Sequence, residues 1–284
     1  MTLAHCAALD AEQVAAYRRD GFVLIPGVLT PEELAALRAE SDRLLDLTVN
    51  ASIALGENSP RMDVCRRGEA ISLRKVQPLG DISPLIGGVL VDERLLAPLR
   101  SILDCDPVPM EEKLNYKQLL RGDLPIDAER EGDSFDLHCD WSYFDHNGYP
   151  RESLSVAVAI DDATTDNGCM RVLPGSHTRE WPIQAAYNPL LVEGVVDGAD
   201  LLHVPQPAGS ALIFHCGLVH GSGDNRTALP RRLLIFSYHP AWHVTEPDKR
   251  NRSLRDAGQA HEARYRALLD RGHRPRPLAD LTLG

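Results

Sequence analysis

No stretch of the 284-residue chain approaches the roughly 18 unbroken apolar residues of a membrane helix. The opening, MTLAHCAALDAEQ, lacks the basic-then-apolar order of a secretion signal, so a cytoplasmic address is expected. Basic residues are the minority, 30 Lys and Arg against 41 Asp and Glu, giving a formal charge of −11. Such a field repels phosphate backbones and anionic headgroups, and neither nucleic acid nor a membrane is an expected partner. The six cysteines, Cys6, Cys65, Cys105, Cys139, Cys169 and Cys216, contain no C-x-x-C pair. This argues against a zinc knuckle or a disulfide scaffold and for reduced thiols. Repeats, low-complexity tracts and an evident linker are also missing. One domain over residues 1–284 is expected, with helical packing over about 1–110, a barrel core over about 111–240 and a helical tail over about 241–284.

What is present falls into two patterns. Asp10 with Gln13, and Gly21 beyond, predict a capped helix; Phe22-Val23-Leu24-Ile25 before Pro26-Gly27 predicts a short strand. Thr30-Pro31-Glu32-Glu33 opens a second helix, with Leu34, Leu37, Leu44 and Leu45 on one face. Residues 49–92 are ambiguous around a strand-like run from Ile71 to Val76, and a helix over 92–104 should kink at Pro98. Short apolar or alternating runs then follow at 113–120, 134–140, 153–160, 170–174, 201–205, 210–216 and 233–239. Without long crossover helices between them, such runs predict an antiparallel barrel or sandwich. Helical spacing returns from about Gln259 to Leu269.

Residues i and i+2 of a strand point the same way, so His138 and Asp140 of His138-Cys139-Asp140 would converge. Two such ligands suit a metal; a hydrogen-bonded pair at a strand end is the competing reading. Cys139 has no basic neighbour to activate it and reads as filler. His220, after the run 210–216, would complete a 2-His-1-carboxylate set that leaves positions open on iron(II). His215 is its rival, but five residues away on a regular strand it would face the opposite side. Gly223-Asp224-Asn225 and the run Leu233-Leu234-Ile235-Phe236 predict a strand pairing back antiparallel, which would return Arg231 or Arg232 to the level of the histidine. A guanidinium there can hold the far end of a dicarboxylate. Arg61, Arg66, Arg67, Arg74 and Lys75 form a basic stretch, read either as a site for an anionic substrate group or as a solvated loop balanced by Asp63 and Glu69.

Four stretches together resemble the phytanoyl-CoA dioxygenase family of iron(II), 2-oxoglutarate-dependent oxygenases. Gly21 to Leu29 with the Glu-rich helix is similar to its opening, and His138-Cys139-Asp140-Trp141-Ser142-Tyr143-Phe144 to its first metal motif. Asn167-Gly168 and Pro174-Gly175-Ser176-His177 resemble its structural turns, which leaves His177 outside the metal set. His220, Ser222, Asn225, Thr227 and Arg231 fall at its H-x-S-x-x-N-x-S-x-x-x-R spacing, with Thr227 replacing the second serine. The resemblance covers about residues 10–240 and implies a double-stranded β-helix, a jelly roll of cupin-like form. It implies iron(II) on His138, Asp140 and His220, and 2-oxoglutarate held at its far carboxylate by Arg231 with Ser222. Asn115 and Lys117 resemble the cosubstrate-contacting strand and equally fit a surface strand of alternating charge.

The activity so implied is O2-dependent hydroxylation of a small molecule with release of succinate and CO2, in a bacterial natural-product setting. Desaturation, epimerisation and ring formation draw on the same chemistry. Related halogenases lack the carboxylate that Asp140 supplies, which disfavours halogenation. Two other classes fit part of the pattern. A zinc hydrolase could use His138, Asp140 and His220 but leaves Arg231 unexplained, and a non-catalytic barrel protein leaves all four unexplained. Oligomeric state is not legible.

Overall fold

A computed structural model describes residues 8–185, 188–244 and 249–283. Asp10 and Gln13 exchange hydrogen bonds at the start of α1 (Ala11–Asp20), and Gly21 ends it at φ 85°, a left-handed angle that glycine adopts without strain. β1 (Phe22–Ile25) follows. Thr30 and Glu33 box the start of α2 (Pro31–Leu55), which buries Leu34, Leu37, Leu44 and Leu45 as their spacing predicts. The ambiguous region resolves into the end of α2, β2 (Met62–Arg67), β3 (Ala70–Val76) and α3 (Pro84–Leu90). The N-terminal part is therefore not only helical packing. α4 (Glu93–Leu103) runs through Pro98 as one element.

The remaining elements are β4 (Pro107–Leu120), β5 (Phe135–His138), α5 (Trp141–His146), β6 (Leu154–Ala159), β7 (Met170–Val172), β8 (Ile183–Ala185), β9 (Asn188–Leu191), β10 (Leu202–Val204), β11 (Ala211–His215), β12 (His220–Ser222), β13 (Leu233–Pro240) and α6 (Lys249–Asp270). Each predicted run holds a strand, and the tail helix starts at Lys249 rather than near Gln259. Among the described residues no helix is long and apolar enough to cross a membrane.

Two antiparallel sheets result, in the orders β1-β11-β6-β13-β4-β3-β2 and β10-β7-β12-β5-β9-β8. Strand alternation divides the apolar residues of the first sheet between two cores. Leu234, Phe236 and Tyr238 of β13, Val156 and Val158 of β6, and Leu114 and Tyr116 of β4 join the core that includes Leu37, Leu44 and Leu45 of α2. The alternate residues, Leu233, Ile235, Ala157, Ala159, Leu212 and Phe214, face the second sheet and meet Met170, Val172 and Val204. Each large side chain so buried contributes about 1.5–3 kcal/mol. The inner face of β4 turns polar at Glu111, Lys113 and Asn115, so apolar packing does not close the sheets there, and a cavity of about 700 Å³ opens. This is the jelly-roll form of the double-stranded β-helix.

Candidate active site

The sequence predicts one extended strand over 134–140, but β5 ends at His138. Asp140 has helical angles (φ −64°, ψ −23°) at the start of α5, so the two side chains meet across a turn rather than by strand alternation. An aspartate before a helix usually caps it, yet Asp140 makes no capping hydrogen bond. Its carboxylate serves the cavity instead. Oδ1 lies 3.7 Å from His138 Nε2, and Oδ2 accepts a hydrogen bond from Ser155 Oγ at 3.2 Å. Ser155 Oγ is also 2.9 Å from the hydroxyl of Ser237, its cross-strand partner in the β6–β13 pairing.

His220 faces His138 across the β12–β5 pairing, with ring centroids 4.2 Å apart. Each imidazole donates from Nδ1 to a carbonyl two residues back, His138 to Asp136 at 2.7 Å and His220 to Leu218 at 2.9 Å. Those bonds leave the Nε2 lone pairs for the cavity. One ligand atom from each of His138, Asp140 and His220 lies within 4.8 Å of the others. Burial and then His220 push the His138 pKa down to about 4, against the pull of Asp140. Burial raises the Asp140 pKa, but His220, His138, Lys113 and the Ser155 hydrogen bond together hold the carboxyl below its ordinary value. At neutral pH an uncharged imidazole and an ionised carboxylate therefore stand together, donor types that suit iron(II).

Arg231 reaches this cavity by a route different from the predicted one. β12 pairs with β5 and β7, whereas β13 pairs with β4 and β6, so there is no antiparallel return. The 223–232 segment crosses from one sheet to the other. Asn225 pins the crossing by donating its amide to the carbonyls of Lys117 at 3.1 Å and Leu229 at 2.7 Å, contacts that no short-range pattern displays. Arg231 lines the cavity while only 1% exposed, and its Nε is buried without a partner. No salt bridge among the described residues includes it. Burial pushes its pKa down to about 10, so it stays charged at neutral pH. A buried guanidinium with no counter-ion costs several kcal/mol, a cost that a cavity-bound carboxylate would remove. Arg232 is occupied elsewhere, with Asp161 at 2.7 Å and Asp42 at 3.0 Å.

Ser222 and Asn115 line the same cavity, and the Asn115 side-chain oxygen is buried without a partner. Lys117 does not line it. At φ 44° and fully buried, it donates from Nζ to Ser222 Oγ at 2.9 Å and to the Gly223 carbonyl, supporting Ser222 from behind. Burial, then Arg231, push its pKa down to about 6. His215 accepts a hydrogen bond from the Gly217 amide at 2.9 Å and packs on His177, outside the triad. The basic stretch is mainly structural. Arg61 is buried between Asp81 and Glu262, Arg67 pairs with Asp133, and Arg74 pairs with Asp63 while lying over the Phe135 ring. Only Lys75 of that group lines the cavity. The residues that sequence reasoning missed are Ser155 and Ser237. Their signal is a polar residue inside otherwise apolar strands, in register with each other.

The sequence profile of the phytanoyl-CoA dioxygenase (PhyH) family matches residues 17–233. An ectoine dioxygenase of Bordetella parapertussis is 26% identical, over 97% of this chain and 88% of that protein. One from Nocardia farcinica is 29% identical, over 81% of this chain and 78% of that protein. Among solved structures, the non-heme α-ketoglutarate-dependent epimerase SnoN from nogalamycin biosynthesis has a similar fold, with a TM-score of 0.62 at 24% identity, covering 81% of this chain and 82% of that one. A profile match over most of the chain, together with this fold, places the protein in the phytanoyl-CoA dioxygenase family.

Proposed function

We propose that the chain is one catalytic domain, an iron(II)- and 2-oxoglutarate-dependent oxygenase that hydroxylates a C–H bond of a small molecule. We assign it to the cytoplasm, where the free thiols of Cys65, Cys105, Cys139, Cys169 and Cys216 persist. The observation that carries the reading is a buried, unpaired Arg231 in the same cavity as His138, Asp140 and His220. A metal set alone suits several chemistries. A metal set sharing its cavity with an unmatched guanidinium calls for a ligand with a carboxylate at one end and chelating oxygens at the other.

In this reading His138, Asp140 and His220 hold the metal, and Arg231 with Ser222 holds the far carboxylate. Asn115 offers its amide to the same cosubstrate. Iron(II) with 2-oxoglutarate and dioxygen supplies the oxidation, one oxygen atom going to the substrate and the other to succinate as CO2 leaves. Ser155 holds Asp140 Oδ2 by a hydrogen bond and so orients the carboxylate that would bind the metal. Lys117 fixes the Ser222 hydroxyl. Phe135, Tyr143 and Phe214 on the wall limit water near the reacting centre. Asp140 would give the metal a carboxylate ligand, which favours hydroxylation over halogenation.

Anaerobic addition of iron(II) and 2-oxoglutarate should produce a weak visible charge-transfer band. His138→Ala should abolish it, and Arg231→Ala should raise the 2-oxoglutarate concentration required while iron stays bound. Oxygen-independent, chelator-sensitive hydrolysis with no band would replace this reading with that of a zinc hydrolase.

A further inference from the structure

Two serines interrupt the apolar strands behind Asp140. Ser155 of β6 and Ser237 of β13 stand directly opposite each other in the β6–β13 pairing, and both are fully buried. Strand alternation puts Ser237 on the same side of β13 as Leu233 and Ile235, and Ser155 on the same side of β6 as Ala157 and Ala159, the side that faces the second sheet. A hydroxyl buried there without a partner costs about 1–3 kcal/mol, so each serine needs a bond. Ser155 has an acceptor in Asp140 Oδ2, 3.2 Å away. Ser237 has one side-chain partner among the described residues, Ser155 Oγ at 2.9 Å. On its other side Ser237 stands opposite Glu111 of β4, whose carboxylate takes Lys113 Nζ at 3.0 Å.

These contacts fix the direction of the hydrogen bonds. Each hydroxyl carries one proton, and an ionised carboxylate has none to give. Ser155 must direct its proton at Asp140, because turning it toward Ser237 would set an oxygen lone pair against Oδ2. Ser237 is then the donor to Ser155. In a buried chain of this kind each bond polarises the next and strengthens it by about 10–30%.

We propose that Ser237 is a positioning residue for the metal centre. Its hydroxyl donates to Ser155 and holds the Ser155 proton on Asp140, so that a relay of two hydroxyls orients the carboxylate. The assignment rests on the reading of His138, Asp140 and His220 as metal ligands. It also accounts for a second serine at a place where alanine would pack without any polar cost.

The test is a double-mutant cycle on the manganese(II) affinity of the metal-free full chain, read by calorimetric titration. Ser237→Ala should weaken manganese binding by about three- to tenfold. The same change made in the Ser155→Ala variant should alter affinity by less than about twofold, because the route to Asp140 is already cut. A merely structural role, in which the smaller side chain loosens β13, would act alike in both backgrounds. Cobalt(II) gives a second reading, since its visible d–d bands report the geometry of the ligands; Ser237→Ala should shift them in the direction that Ser155→Ala does. Equal losses of affinity in the two backgrounds, or a Ser237→Ala variant with the wild-type affinity or the wild-type bands, overturns the proposal. A His138→Ala control separates this outcome from failure of the parent reading. If manganese binding survives His138→Ala, the metal centre is elsewhere and both readings fail. If His138→Ala abolishes binding while Ser237→Ala leaves it unmoved, the relay alone fails.

Discussion

Replacing Arg231 with methionine should have opposite effects with and without 2-oxoglutarate. In the folded chain the guanidinium is buried and unpaired, and its pKa falls to about 10. At about 1.4 kcal/mol for each pH unit by which a pKa falls, holding the charge there costs roughly 3 kcal/mol. The sign follows from linkage. At neutral pH the group is charged both folded and unfolded, so the full cost is present, and it fades only as pH rises through about 10 toward the ordinary guanidinium value. Methionine retains much of the packing and removes the charge. Arg231→Met should therefore raise Tm without cosubstrate, by about 2–4 °C for each kcal/mol recovered.

With 2-oxoglutarate the order reverses. Removing one partner of a buried, hydrogen-bonded charge pair costs roughly 2–5 kcal/mol of binding, a Kd weaker by about thirtyfold to several thousandfold. Wild type at a hundred times its Kd should gain about 2.7 kcal/mol from the ligand, and the variant almost nothing. Differential scanning fluorimetry under argon, with iron(II) and a 2-oxoglutarate series, reads both effects. A variant that melts lower without cosubstrate and keeps the ligand-induced shift would refute the reasoning, because Arg231 would then be a structural cation.

Four further outcomes follow from individual contacts. His138→Ala should abolish succinate formation while leaving the far-UV circular dichroism spectrum intact. Ser155→Ala frees Asp140 Oδ2 and should weaken metal binding by about ten- to a hundredfold, as read by calorimetric titration. Lys117, with its pKa near 6, is mostly neutral when folded at neutral pH while the unfolded chain keeps the proton. Stability should therefore rise with pH between about 6 and 10, by up to about 1.4 kcal/mol per pH unit, and urea titrations of Lys117→Met should show that slope flattened. Arg61 bridges Asp81 and Glu262 with no side-chain exposure, so Arg61→Ala should lose about 3–5 kcal/mol in urea unfolding and loosen α6 from the segment before β2.

Much of the architecture is legible in local signals, because its causes are local. The capping boxes at Asp10 and Thr30, the glycine after α1 and the alternation within β4, β6, β11 and β13 act over a few residues, and each predicted element forms. β12 has only three residues, too few for alternation to register. The metal set is legible through residue type and spacing, although its geometry is not. His138 and Asp140 converge across a strand-to-helix turn, and Arg231 arrives by a sheet crossing pinned by Asn225 on Lys117, contacts between residues 108 positions apart. The basic stretch misleads for the same reason. Composition shows five cations together, but pairing with Asp81, Glu262, Asp133 and Asp63 takes up most of them, and those partners are distant in sequence or hidden by the hairpin register. Lys117 at φ 44° carries no sequence signal, since its left-handed backbone is held by tertiary contacts rather than by glycine.

A crystal structure with manganese(II) in place of iron and 2-oxoglutarate soaked in, with the metal located by anomalous scattering, tests the central claim most directly. The account predicts one metal peak bounded by His138 Nε2, His220 Nε2 and the Asp140 carboxylate, with the far carboxylate of 2-oxoglutarate on the Arg231 guanidinium. A metal peak elsewhere, or a 2-oxoglutarate carboxylate that leaves Arg231 unpaired, would contradict it.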